Sequence, residues 1–177
     1  MMAWTEKSFR RKDPKKQLQG ARSHAQGKWF EEYLGSALIF YESLGEAMVE
    51  KTPEPMRPTK NLGDGKFIAF FEKAAQPDFK GVLKGGRAVA FEAKFTSGER
   101  MDQDRVTPEQ TRSLDRYEKL GALCFVVAGF GSGGVFRIPW DVWRSMKDKY
   151  GRKYVTPEDL EEYLIKVGKR GQLLLFD

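Results

Sequence analysis

The chain has 177 residues, which is enough for one domain with a sizeable core, and its Lys and Arg exceed its Asp and Glu by 31 to 25. No run of about 18 apolar residues is present, so no membrane span is expected. The amino terminus lacks the apolar run and small-residue cleavage site of a secretory signal. The single cysteine excludes an internal disulfide and fits a reducing compartment, so we expect a cytoplasmic protein.

The positive charge is concentrated near the amino terminus. Residues 1–26 contain seven basic and two acidic side chains, whereas the rest of the chain is close to neutral. A basic tail on a near-neutral body is a common arrangement for binding a polyanion, and a solubilising terminus explains the same charge equally well. We expect residues 1–20 to form a mostly disordered basic arm and residues 21–177 to form one domain.

The first half of that domain reads as a helix followed by strands. Apolar side chains recur at helical spacing over residues 26–44. A short strand is predicted over 47–51. The segment TPEPMRPTKNLGDG is dense in Pro and Gly and predicts a loop or short stalk near 52–66. The next strand is predicted over 66–73.

The second half begins with a hairpin over residues 78–95, which turns at the sequence KGG. A helix over 107–120 has strong start signals: Thr107 suits the N-cap, Pro108 suits the first helical position, and Gln110 completes a capping-box spacing. The predicted elements that follow are strands at 122–130 and 135–139, helices at 140–150 and 156–167, and a tail, GQLLLFD, that forms an edge strand or packs on a partner. This order predicts an α/β or α+β fold around a mixed sheet.

Polar residues stand at the end of an apolar strand in the hairpin. Along RAVAFEAKF, successive side chains alternate between the two faces of a sheet, so Val89 and Phe91 share one face and Glu92 and Lys94 share the other. If the strands pair through the KGG turn, Asp78 falls near the level of Glu92 and Lys94. Two carboxylates and one amine then converge at one end of the sheet.

This group suits metal-assisted hydrolysis. Two close carboxylates repel each other unless a cation holds them, and a hard divalent ion prefers oxygen ligands. The carbonyl of Ala93 could complete the binding face, and Lys94 could hold a water or a phosphate oxygen. The alternative is a solvated strand end in which Lys94 pairs with one of the acids.

The segment QPDFKGV…AVAFEAKF resembles the PD-(D/E)XK nuclease signature, with Pro77-Asp78 followed by Glu92-Ala93-Lys94. Over about residues 20–165, further segments are similar, in the same order, to those of RecU-type Holliday junction resolvases: GKWFEEYL, EKTPEPMRP, TPEQTRSL, GALCFVVAGF and YGRKYVTPEDLEE. The resemblance implies a restriction-endonuclease-like core with a mixed central β-sheet flanked by helices. It also implies a homodimeric endonuclease, dependent on Mg²⁺ or Mn²⁺, that nicks four-way DNA junctions in recombination and repair.

Carried over to this chain, the resemblance makes Asp78 and Glu92 the metal ligands, to which the strand pattern adds the carbonyl of Ala93. Lys94 would position or activate the attacking water. Glu31 would be an accessory carboxylate near the metal, although the adjacent Glu32 is an alternative.

The resemblance gives Gln110 a place facing the site, whereas the capping box alone explains the same residue. The segment at 52–66 is shorter than the stalk of the resembled family, so another PD-(D/E)XK nuclease, cellular or phage-encoded, and a non-catalytic DNA-binding module remain alternatives. Seven basic residues are expected to contact DNA phosphates: Arg10, Arg11, Lys15, Lys16, Arg22, Arg57 and Lys60.

Overall fold

The computed structural model describes residues 14–53, 55–71 and 76–177. No helix in these ranges is long and apolar enough to cross a bilayer. The 3₁₀ helices are Gln103–Arg105 and Pro157–Tyr163. The other elements, in chain order, are α1 (Pro14–Ser43), β1 (Ala47–Lys51), β2 (Met56–Gly63), β3 (Lys66–Phe71), β4 (Phe79–Leu83), β5 (Ala88–Thr96), β6 (Met101–Asp102), α2 (Pro108–Lys119), β7 (Leu123–Phe130), β8 (Val135–Pro139), α3 (Trp140–Arg144), α4 (Met146–Tyr150) and β9 (Tyr154–Val155).

A five-stranded sheet of order β1-β4-β5-β7-β8 forms the centre. The β5–β7 pair is parallel and the other pairs are antiparallel. One face packs against α1 through Val89 and Phe91, and the other face packs against α2, α3 and α4 through residues that include Ala90. This alternation along β5 is the one predicted from its sequence. The predicted fold class, a mixed central sheet flanked by helices, is confirmed.

Local sequence explains why the strands around β5 align. Phe79, Phe91 and Phe125 stack in a row across β4, β5 and β7, with ring centroids 4.8 and 4.6 Å apart, and such pairs contribute roughly 0.5–1.5 kcal/mol each. The β4–β5 turn uses Gly85 and Gly86, both with positive φ, which glycine adopts without strain. The row of rings and the turn together fix the register that places Asp78 opposite β5.

Helix α1 begins at Pro14, twelve residues before the predicted start. Residues 14–20, assigned to the basic arm, are therefore helical, and residues 1–13 of the arm lie outside the described residues. Residues 19–25 are exposed, so they carry no apolar periodicity from which a helix could be predicted. The segment is nevertheless rich in Lys, Gln, Arg and Ala, which have good helix propensity, and Pro14 suits a first helical turn.

The segment predicted as a loop or short stalk is one strand of an exposed two-stranded ribbon formed by β2 and β3. The ribbon turns at Asp64 and Gly65, and its register shifts near Pro58 and again near Asn61. Pro58 has no N–H to donate, and a ribbon edge tolerates this because it has no further strand partner. The strand predicted over 66–73 is described to Phe71, and residues 72–75 lie outside the described residues.

The last third differs from the predicted pair of helices. Residues 140–150 form two short helices, α3 and α4, and the predicted helix over 156–167 is a 3₁₀ helix that ends at Tyr163. The backbone is extended at Leu164, and the N–H of Ile165 donates to the carbonyl of Val135 at 2.8 Å, so the chain leaves the helix to pair beside β8. The tail packs on this chain, because Leu173 and Leu175 are buried in the core beneath α1.

Candidate active site

Asp78 immediately precedes β4, at the end of the sheet where β5 continues beyond its partner. The pairing of Phe79 with Phe91 places Asp78 opposite Glu92. Its Oδ2 accepts a hydrogen bond from the N–H of Ala93 at 2.9 Å and another from Lys94 Nζ at 3.2 Å. The structure thus brings together the three residues that the hairpin pattern predicted to converge.

Glu92 is an acid inside the protein, with 0% of its surface exposed. Its Oε2 accepts from Lys94 Nζ at 2.8 Å and from Gln110 Nε2. Its Oε1 is buried and has no hydrogen-bond partner among the described residues. A buried acceptor without a partner carries a desolvation cost of about 1–3 kcal/mol. The second oxygen is therefore available to a group that the described residues do not supply.

Burial raises the pKa of Glu92 to about 8; the Lys94 ammonium lowers it and the Asp78 carboxylate raises it. Burial also lowers the pKa of Lys94, but the charges of Asp78 and Glu92 raise that pKa by more, so the net shift is upward. Lys94 consequently stays protonated at neutral pH, whereas Glu92 needs more positive charge nearby to ionise fully. The single positive charge of Lys94 does not balance the negative charges of both Asp78 and Glu92.

Gln110 both caps α2 and faces the site, which are the two roles that the sequence left open. Its Oε1 accepts from the N–H of Thr107 at 3.1 Å, and its own N–H donates to the Thr107 hydroxyl at 3.3 Å, which completes the capping box of α2. Its Nε2 donates to Glu92. One carboxamide therefore starts the helix at one end and holds the buried acid at the other.

Glu31, not Glu32, faces the sheet. The side chain of Glu31 is 25% exposed and forms an ion pair with Lys51 Nζ at 2.6 Å, whereas that of Glu32 is 65% exposed and pairs with Lys28 at 3.8 Å. Because Lys51 pairs with Phe79, Glu31 reaches the end of the sheet where Asp78 lies. Within the described ranges, however, no three His, Cys, Asp or Glu side chains form a group that could hold a metal.

Two residues beside the site escaped sequence reasoning. Lys51 ends β1 and holds Glu31, and the N–H of Thr52 donates to the carbonyl of Asp78 at 2.8 Å. The available signal was their position, since they stand where a short strand meets the Pro-rich segment EKTPEPMRP.

The predicted DNA contacts are spread over α1, the β2–β3 ribbon and the amino terminus. Arg22 is exposed on α1, and Arg57 and Lys60 are exposed on β2. Lys15 and Lys16 lie within α1, and Arg10 and Arg11 lie outside the described residues.

Comparison with known proteins identifies relatives over much of the chain. The chain is 28% identical over 148 residues to the Holliday junction resolvase RecU of Pediococcus pentosaceus, a match that covers 77% of this chain and 72% of that protein. It is 29% identical over 112 residues to the enzyme of the same name from Streptococcus gordonii, with 60% and 56% covered. The corresponding values for Streptococcus pneumoniae are 26% over 145 residues, with 77% and 73% covered.

Among solved structures, the Holliday junction resolvase Hjc of Archaeoglobus fulgidus is similar with a TM-score of 0.42 at 14% identity; the match covers 66% of this chain and 75% of that one. The family model described as "Recombination protein U" (RecU) matches residues 25–176. Because this match spans most of the chain, the protein belongs to the RecU family of recombination proteins.

Proposed function

We propose that this protein is a divalent-metal-dependent endonuclease that resolves four-way DNA junctions in recombination and repair. The observation that carries the proposal is the convergence of Asp78, Glu92 and Lys94 at one strand end. It occurs in a member of a family whose compared relatives are named Holliday junction resolvases.

The side chains present fit a hard divalent cation. Glu92 Oε1 is buried without a partner among the described residues, and burial raises the pKa of Glu92, a shift that a bound cation would oppose. The N–H of Ala93 points at Asp78, and the N–H and C=O of one strand residue point to the same edge, so the Ala93 carbonyl is directed there too. Asp78, Glu92 and this carbonyl would hold Mg²⁺ or Mn²⁺ through oxygen, with Glu31 as an accessory carboxylate.

A bound ion would supply Lewis-acid stabilisation of charge on the phosphate and a more acidic water. The side chains of this protein would supply the other groups that the reaction needs. Lys94 is charged and can donate to a phosphate oxygen or hold a water in line for attack, but its raised pKa makes it a poor proton acceptor. Gln110 donates to Glu92 Oε2 and so keeps the carboxylate oriented with Oε1 turned away from that contact.

Substrate binding is the second part of the proposal. We expect the basic residues of α1 and the β2–β3 ribbon to contact phosphates, which makes binding strongly dependent on salt. A two-fold homodimer would match the near symmetry of a four-way junction and let both strands be cut. We place the protein in the cytoplasm; Cys124 is buried and free, as suits a reducing compartment.

A cleavage assay tests this function. The wild type, Asp78→Asn and Asp148→Asn are incubated with a four-way junction, a duplex and single-stranded DNA of the same sequence, with and without Mg²⁺. Asp148 is an exposed residue of α4 and serves as the matched control. We expect metal-dependent cleavage of the junction by the wild type and the control, and none by Asp78→Asn.

Three results would count against parts of the proposal. If no substrate is cut in the presence of Mg²⁺ or Mn²⁺, the protein is not a nuclease of this type. If the duplex is cut as well as the junction, the enzyme does not recognise branching. If Asp78→Asn cleaves like the wild type, the site is elsewhere.

A further inference from the structure

The 3₁₀ turn that precedes α2 is fixed firmly beside the end of β5. The N–H of Gln103 donates to the carbonyl of Lys153 at 2.9 Å. Its side-chain Nε2 donates to the carbonyls of Trp143 at 2.7 Å and Arg144 at 3.0 Å. These three bonds tie the turn to the α3 side of the sheet, so the residue that ends the turn, Arg105, starts from a fixed backbone.

Arg105 is exposed, and one of its guanidinium nitrogens donates to the carbonyl of Phe95 at 3.0 Å. Among the described residues no carboxylate forms an ion pair with it. A guanidinium has five N–H donors, so a single backbone contact orients the group and leaves most donors available. Arg105 is therefore a positive group that is held in place and can still bind an anion.

The Phe95 carbonyl points to the edge of β5 that carries the proposed active site. The N–H of Ala93 donates to Asp78 on the β4 side, whereas the carbonyl of Thr96 accepts from Gly131 on the β7 side. Backbone groups of successive strand residues point to opposite edges, so Phe95 shares the edge of Ala93. Two residues along a strand span roughly 7 Å. Arg105 therefore contacts β5 two residues beyond the Asp78 contact, on the same edge of the strand.

Charge explains why a cation is needed there. When both acids are ionised, Asp78, Glu92 and Lys94 carry a net charge of −1, and Lys94 is already bonded to both carboxylates. Without a bound metal ion, such a site repels a phosphodiester. We propose that Arg105 binds a phosphate of the DNA strand held at this site and positions that strand for cleavage. The inference rests on the proposed function and adds a substrate-binding residue to it.

DNA binding tests the inference without requiring activity. Fluorescence anisotropy with a labelled four-way junction, in EDTA and over a KCl series, compares the wild type with Arg105→Ala, Arg105→Lys and Arg112→Ala. Arg112 is the control because it is also exposed and pairs with Glu109 on α2. We expect Arg105→Ala to weaken binding roughly tenfold or more. The slope of the logarithm of the binding constant against the logarithm of the KCl concentration (the salt slope) should fall by about one released ion. Arg105→Lys should restore the slope, and Arg112→Ala should change both much less.

Single-turnover cleavage at saturating enzyme locates the contact. If Arg105 positions the strand at the site, Arg105→Ala lowers the rate constant by at least roughly tenfold even when all the junction is bound. An unchanged rate constant would place any Arg105 contact away from the site and overturn the inference. So would binding by Arg105→Ala that matches Arg112→Ala, with only the thermal midpoint lowered, because that marks a purely structural bond to Phe95.

A failure of the proposed function can be told apart from a failure of the Arg105 inference. If the wild type binds but cuts no DNA, the proposed function fails, and the slope difference still decides whether Arg105 holds a phosphate. If the wild type cuts junctions and both arginine variants behave alike, only the Arg105 inference fails. A wild type that binds no DNA at any salt concentration overturns both.

Discussion

Replacing Glu92 by Gln should make the metal-free protein more stable, and increasingly so as the pH rises. The side chain keeps its shape and loses its charge. Burial raises the pKa of Glu92 from 4.5 to about 8 in the folded protein. Between those values the folded state binds more protons than the unfolded chain, so the free energy of unfolding of the wild type falls as the pH rises. Below about pH 4.5 this contribution is fully retained.

The size of the effect follows from the same values. A change of pKa from 4.5 to about 8, at about 1.4 kcal/mol per pH unit, sets a ceiling of roughly 5 kcal/mol. Part of this is offset because Lys94 loses one of its two carboxylate partners in the variant and keeps only Asp78. We therefore expect Glu92→Gln to be more stable than the wild type by about 2–4 kcal/mol at pH 9, and by much less at pH 5.

Urea unfolding in EDTA at pH 5, 7 and 9 measures this difference. Glu32→Gln makes the same chemical change on an exposed helix position and should leave the pH dependence as in the wild type. Adding Mg²⁺ at pH 9 should stabilise the wild type and not Glu92→Gln, because the ion needs the ionised acid. Parallel stability curves for the wild type and Glu92→Gln would refute the claim that burial holds a proton on this residue.

Three further predictions concern neighbouring residues. Lys94→Met should abolish cleavage while junction binding persists; cleavage near the wild-type rate would remove Lys94 from the mechanism. Thr107→Ala should lower the free energy of unfolding in urea by about 1 kcal/mol through the lost cap. Gln110→Ala should lower it by more and also slow cleavage, because the variant loses the hydrogen bond to Glu92. Equal cleavage rates for the two variants would contradict the role of Gln110 in the site. Gly81→Ala should destabilise by roughly 1–3 kcal/mol in the same assay, since a Cβ would overlap the Met48 carbonyl; an unchanged midpoint would show that β1 can shift.

The hairpin and its site could be predicted because their signals are local. A period of two along AVAFEAKF separates a core face from a polar one, and the KGG turn sets which residues meet across the strands. Asp78, Glu92 and Lys94 are then brought together by pairing alone. The capping box of α2 is equally local, and Thr107 and Gln110 occupy the predicted positions.

The remaining features depend on contacts that no short window contains. The early start of α1 has no apolar stripe to mark it, and the 3₁₀ helix at 157–163 stops because the chain pairs with Val135, far away in sequence. The ion pair of Glu31 with Lys51 joins a helix to a strand end. Arg105 is recognisable only once its guanidinium is seen on the Phe95 carbonyl.

Gln110 shows why the site and the start of α2 behave as one structural unit. Its Oε1 is committed to the Thr107 N–H, so the rotation of the carboxamide is set by the helix cap, and its Nε2 is thereby aimed at Glu92. The bond to Glu92 in turn leaves only Oε1 of that carboxylate without a partner among the described residues. A shift of the helix start would consequently remove the hydrogen bond from Gln110 that orients Glu92. The capping box, which in most helices contributes only stability, here also determines which carboxylate oxygen would face the proposed ion.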